Sequence, residues 1–221
     1  MPRELTVRGA ETRTQLERHG TRLFVKQGYH GTSVDQIVDS VGVGKGVFYW
    51  YFPSKEQFFA SLVQGAWRDL RSLQEVVIGE EVDALRRIEI YVRATIAWTA
   101  ENSERAQLFT VAGSDLRLRS LLDEGRKEAV TYVQRHLDAG MEAGQIPRGD
   151  SLMLAVAIRS VLIGLVGEFK DHRTPSEIAD ATVAFVLPAL RSGTLREAEG
   201  SRRGTTVADP HPGPSSRSGS T

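Results

Sequence analysis

Five consecutive aromatic residues, Phe48-Tyr49-Trp50-Tyr51-Phe52, constrain this chain more than any other feature. The Val41-Gly42-Val43 break before them and Pro53 after them leave room for only a short helix, about Gly44 to Tyr51. Successive residues on an α-helix lie about 100° apart, so five in a row sweep the whole circumference. They cannot all enter one core. Phe48 and Phe52, one turn apart, are the expected inward pair, which sends Tyr49 and Trp50 toward solvent or a partner. The alternative is that these two pack on the helix that follows. Large aromatics left outside beside Lys45 and Lys55 suit phosphate and sugar contacts on a duplex.

The residues before the run complete a unit of three helices. A first helix is predicted over about 8–27, with Leu16, Leu23 and Phe24 inward and Gly28 closing it. A short helix follows from about Ser33 to Ser40, capped by Thr32 or Ser33, and Ser33 and Gln36 stand at capping-box spacing. Val34, Ile37, Val38 and Val41 form its apolar stripe, and Gly42 supplies the positive φ that a turn between crossed helices needs. Two short helices joined by a glycine turn and backed by a third make a tri-helical helix-turn-helix.

Helical periodicity continues to the end of the patterned sequence, and no alternating strand interrupts it. Ser54 caps a long helix reaching about Val77, with Gln57 at box spacing. Further helices are predicted over about 83–101, 104–112, 115–143, 151–171 and 175–191. Thr174, Pro175 and Glu177 give the last of these three independent start signals. From Ser192 the sequence turns to Gly, Ser, Pro, Arg and Thr, a composition expected to stay disordered.

Lys55 falls in the first turn of the helix capped by Ser54, where a cation opposes the macrodipole. A phosphate at that helix end would be attracted by dipole, free N–H groups and lysine together. The alternative is a solvated surface lysine.

Several function classes are excluded by what the chain lacks. With no cysteine there is no disulfide or thiolate chemistry. The five histidines are scattered without ligand spacing, so no metal site is expected. Gly42-Val43-Gly44-Lys45-Gly46 fails as a phosphate loop, because Asp39 and Gly46 stand where glycine and a hydroxyl are required. No strand precedes it, no cofactor motif appears elsewhere, and an enzyme is not expected. The polar start MPRELTVRGAETRTQLER does not read as a signal peptide. The apolar stretch Leu152 to Phe169 is short for a membrane span and is interrupted by Arg159, Ser160 and Glu168, so a buried helix is expected. The formal net charge is zero overall, yet residues 1–55 hold 8 basic against 5 acidic residues, a surplus that weakly favours a polyanion partner.

From Leu16 to Phe59 the sequence resembles the DNA-binding domain of the TetR family of regulators. The resemblance rests on Leu23-Phe24, Gly28-Tyr29, Thr32-Ser33-Val34 and Ile37-Val38, then on Gly42-Val43 and on Tyr49, Tyr51-Phe52 and Ser54-Lys55. It implies that Thr32 and Ser33 touch phosphate, that Lys45, Gly46 and Val47 face base edges, and that Tyr49, Trp50 and Lys55 hold the backbone. Three departures stand out. His19-Gly20 replaces a small Ala-Ala pair, with mid-helix glycine costing about 1 kcal/mol; Val41 replaces alanine and Gly44 replaces serine. With glycine at 44 and 46, base readout rests on few side chains, chiefly Lys45 and Val47.

More weakly, the resemblance runs on to about residue 191, through Gly140-x-x-x-Gly144-Gln145-Ile146-Pro147 and Gly164-Leu165. It implies an all-α fold: a helix-turn-helix domain over 1–54, a helical ligand-binding and dimerisation domain over 55–191, and a disordered tail over 192–221. The last two helices would pair with those of a second copy. Gly164 and Gly167 would let a helix approach closely, and Arg159 would be an interface ion-pair member or a snorkelling surface residue. Trp67, Tyr91, Trp98, Phe109, Tyr132 and His136 are the candidate pocket residues, each with an ordinary core role as its alternative. Together they suggest an apolar or aromatic effector. The expected protein is a cytoplasmic, homodimeric, ligand-responsive regulator on double-stranded DNA, with repressor and activator both open. A helical ligand-binding protein without DNA binding is the remaining alternative.

Overall fold

The computed structural model describes residues 7–193, and among these all regular structure is α-helical. The expected disorder beyond residue 193 lies outside the described residues. The order is α1 (Val7–Gly31), α2 (Val34–Val41), α3 (Lys45–Tyr51), α4 (Lys55–Ile78), α5 (Ala84–Glu101), α6 (Ser103–Ser114), α7 (Ser120–Glu142), α8 (Ser151–Phe169) and α9 (Pro175–Ser192).

Local signals account for most of the boundaries. Ser33 caps α2 in a reciprocal box with Gln36, at 3.2 and 2.8 Å. Thr174 and Glu177 do the same at the start of α9. Ser54 Oγ accepts from Gln57 N to open α4. Gly42 ends α2 at φ 77°, ψ 33°, and its N–H reaches back to Val38 and Asp39. A β-carbon would strain that conformation, which is why glycine sits at the turn. Gly28, at φ 74°, ψ 172°, leaves the helical conformation as expected and breaks α1 at a kink, after which a short helical stretch continues to Gly31.

Two large apolar cores and a smaller cluster of Ala66, Leu70 and Trp98 organise the helices. One buries Leu16 and Phe24 of α1, Ile37 and Val38 of α2, Phe48 and Phe52, and Phe58, Phe59, Leu62 and Val63 of α4. Leu108 and Ala112 of α6 join the same core, so the helix-turn-helix head shares its interior with the body. The second core packs α5, α7, α8 and α9 around residues such as Ile88, Val133, Leu137, Ile158 and Leu190. Gly20 explains one departure in α1. A β-carbon there would lie 2.5 Å from Phe58 Cζ, so the edge of that ring occupies the space an alanine methyl would need.

α8 departs from the expectation of a buried helix. By length and composition it could cross a membrane, with mean hydropathy 2.0, yet only 17% of its apolar window is buried in the chain. Leu152, Met153, Val156, Ile163 and Phe169 remain exposed on it, and Phe185 on α9.

Candidate nucleic-acid interface and ligand cavity

The aromatic run divides as helical geometry requires. Phe48 is fully buried and Phe52 nearly so, whereas Tyr49 is 50% exposed and Trp50 54%. Tyr51, between them in orientation, is half-buried and donates from its hydroxyl to Gly9 O at 2.6 Å, tying α3 to the start of α1. Arg13 lies 5.3 Å from the Phe52 ring on the same side. The outer face of α3 therefore stands on a packed aromatic base, and Tyr49 and Trp50 project from it.

Lys45, Gly46 and Val47 share this exposed surface. In the free chain the Lys45 ammonium sits 2.6 Å from Asp35 of α2, and that hydrogen bond holds its pKa above the usual lysine value. Both side chains are more than half exposed, so the pair adds little to stability and can open for a stronger anion. No atom would crowd a β-carbon at Gly46 or Gly44, so the bare backbone of this turn is open to close approach. Ser33 is exposed at the start of α2, with its hydroxyl oxygen engaged by Gln36 N.

Two of the expected contact residues are turned inward. Thr32 is 1% exposed and its hydroxyl donates to Gly28 O at 2.9 Å, so that side chain cannot touch a phosphate. The Lys55 ammonium donates to Tyr29 O at 2.9 Å and Thr32 O at 2.8 Å, and it lies 4.3 Å above the Tyr29 ring. Burial pushes its pKa down. Rather than opposing the α4 dipole to no purpose, this cation serves the carbonyls at the end of α1, the negative end of that helix. Lys55 is a strut between the end of α1 and the start of α4.

Behind the head, helices α4 to α8 line a partly open cavity of about 870 Å³. It gathers Trp67, Tyr91 and Phe109 of the six expected pocket residues. Trp98 is instead core, packed with Ala66 and Leu70. Tyr132 and His136 lie outside the cavity wall, edge to face at 4.7 Å, with Arg71 stacked 4.2 Å over the Tyr132 ring. Burial, aided by Arg87, Arg135 and Arg71, depresses the His136 pKa to about 4, so its ring is uncharged near neutral pH.

Reading the sequence missed the polar part of the wall. Arg71 and Gln74 of α4, Thr95 of α5, Arg126 of α7 and Arg159 of α8 all line it. Arg159, expected at the interface or snorkelling to the surface, is half-buried and lines the cavity. Gly167 also lines the cavity, whereas Gly164 is exposed with open space where a β-carbon would sit. An arginine within an apolar helix was the available signal, but a helix apolar nearly all round gives no face by which to aim it.

The cavity and the head are joined through two helices. α4 runs from Phe58 and Phe59 in the head core to Trp67, Arg71 and Gln74 in the wall. Gly113 and Ser114 of α6 line the cavity, and the next residue, Asp115, meets His30 of α1 at 2.5 Å. The backbone N–H of Arg117, followed by His30, holds the Asp115 carboxyl below the usual range.

Comparison with known proteins fits this architecture. Residues 18–62 match the model of the bacterial regulatory proteins of the tetR family. Over 139 residues the chain is 31% identical to the HTH-type transcriptional repressor DhaR of Mycobacterium sp. (strain GP1), covering 62% of this chain and 70% of that protein. It is 27% identical over 187 residues to the HTH-type transcriptional repressor NemR of Escherichia coli (strain K12), covering 80% and 94% respectively. Among solved structures, a TetR-family regulator from Syntrophomonas wolfei superposes with a TM-score of 0.74 at 23% identity, over 84% of this chain and 97% of that one. These matches extend well past the helix-turn-helix into the helical body, and the chain belongs to the TetR family of bacterial transcriptional regulators.

Proposed function

We propose that this chain is a repressor that binds a palindromic operator as a homodimer and is released by a small molecule held in the cavity. The observation that carries the DNA-binding part is the outward pair Tyr49 and Trp50 on a helix whose other aromatics are sealed inside. A folded head has no internal use for two half-exposed rings beside Lys45. On a duplex they supply sugar and phosphate contacts, while Lys45 and Val47 reach base edges. Ser33 and the open backbone at Gly46 add positioning contacts. Thr32 and Lys55 act one layer back, by fixing the end of α1 against α4.

The homodimer is supported by α8 and α9, whose exposed Met153, Val156, Ile163 and Phe185 need cover. Two-fold pairing there places two α3 helices to enter successive major grooves, about 34–36 Å apart. Ligand in the cavity would move α4 and α6, both of which end in the head, and so change that spacing. The shift can be no larger than the ligand's preference for the non-binding conformation. The sibling repressors DhaR and NemR favour repression over activation as the direction of control.

The test is binding of the full chain to a labelled duplex taken from upstream of its own gene, followed by fluorescence anisotropy across a salt series. Affinity should fall steeply as salt rises, since Lys45 and the positive head exchange counterions for phosphates. Binding indifferent to salt would contradict the proposal.

A further inference from the structure

The chemistry of the cavity wall specifies more than its volume does. Among the described residues, the fully buried polar side-chain atoms of its wall that lack a partner are donors. Trp67 Nε1 and Arg71 Nε are buried without a hydrogen-bond partner among the described residues. Arg159 stands between the buried Ile158 and Leu162 of α8 and has no ion pair or hydrogen bond among the described residues. Guanidinium nitrogens can only donate, so Arg71 and Arg159 in the wall call for an acceptor from outside the chain.

Charge points the same way. Arg71, Arg126, Arg159 and Lys170 line the cavity against Glu128 as its one acidic group among the described residues. Arg126 lies 3.7 Å from Asp123, which leaves Arg71, Arg159 and Lys170 without an ion pair among the described residues, Arg71 being stacked on the Tyr132 ring. Half-burying an unpaired guanidinium is unfavourable, as the lowering of the Arg159 pKa by desolvation reflects. A purely apolar occupant would deepen that penalty by removing the remaining water, and a cationic one would add repulsion. Trp67 and Phe109, 4.4 Å apart between ring centroids, provide the apolar end.

We propose that the effector is an amphiphilic oxyanion, its apolar body against Trp67 and Phe109 and its carboxylate or phosphate head on Arg159 and Arg71. Two guanidinium forks match the lone pairs of such a head with charge-assisted bonds. This revises the apolar or aromatic effector expected from the side chains the sequence singled out. It rests on the cavity being the effector site, and the test separates the two claims.

Octanoate, octyl phosphate, octanol and octylammonium have the same tail and differ in the head. Each would be titrated into the full chain by calorimetry. At least one of the two anions should bind about tenfold or more tightly than octanol, with the tighter anion identifying the head, and octylammonium should bind least. In Arg159→Met the advantage of the anion over octanol should shrink by about tenfold while octanol affinity stays within about twofold. Octanol or octylammonium binding as tightly as both anions would overturn the oxyanion while leaving the cavity a ligand site. No measurable binding of any of the four would overturn both claims. Should Arg159→Met fail to fold, the four-ligand comparison on the native chain decides the question alone.

Discussion

Replacing Tyr49 and Trp50 together with alanine is expected to weaken operator binding by about two orders of magnitude, with thermal stability nearly unchanged. Both parts follow from where the rings stand. Each is about half exposed, so neither contributes much buried area to the fold. Trp50 touches the Tyr51 ring edge-on at 4.5 Å, a contact that Tyr51 can lose because its hydroxyl remains anchored on Gly9 O. On a duplex, each ring loses contact area and a polar handle for phosphate, about 1–2 kcal/mol per residue for well-placed interface aromatics. Paired measurements of unfolding temperature and operator affinity check this. Unaltered affinity would remove the two rings from the interface; a matching fall in stability would mean they support the fold.

Alanine at position 20 should destabilise the head by about 1–3 kcal/mol, although the same change in an open helix stabilises by about 1 kcal/mol. The sign reverses because the space is already taken. A methyl group at Gly20 would meet the Phe58 ring at 2.5 Å, and Phe58 is itself enclosed by Phe24, Phe48 and Phe52. The ring cannot swing away without disturbing the aromatic base under α3. Thermal unfolding of Gly20→Ala should show the loss, and Gly20→Ala with Phe58→Leu should recover part of it, since the two sites share one contact. A Gly20→Ala protein more stable than the native chain would show that the head is packed otherwise.

The head was legible because its signals are local. Ser33 with Gln36, Gly42, Pro53 and Ser54 each fix a boundary within four residues of themselves, and the inward and outward aromatics follow from helical rotation alone. What the sequence could not reveal involves partners far apart along the chain. Lys55 looks like a free cation at a helix start until Tyr29 O and Thr32 O are brought beside it. Thr32 resembles a surface cap until the kink at Gly28 presents a carbonyl to its hydroxyl.

The cavity was legible only in part for a related reason. Trp67, Tyr91 and Phe109 were identified by type, yet Trp98, Tyr132 and His136 have the same character and point elsewhere. Side-chain type does not encode direction on helices whose neighbours are set by tertiary packing. Arg159 shows the converse. Its direction is set by how α8 settles between α7 and an exposed flank, and α8 is too uniformly apolar for that to be read from spacing.

The account depends on α3 being offered outward to meet DNA in two copies related by symmetry. Selection of bound duplexes from a random pool, using the full chain, addresses this directly. The retained sequences should converge on two inverted half-sites with centres about one helical turn apart, or a multiple of it, and Lys45→Ala should alter the preferred bases. A pool that stays random, or a single half-site unaffected by Lys45→Ala, would contradict it.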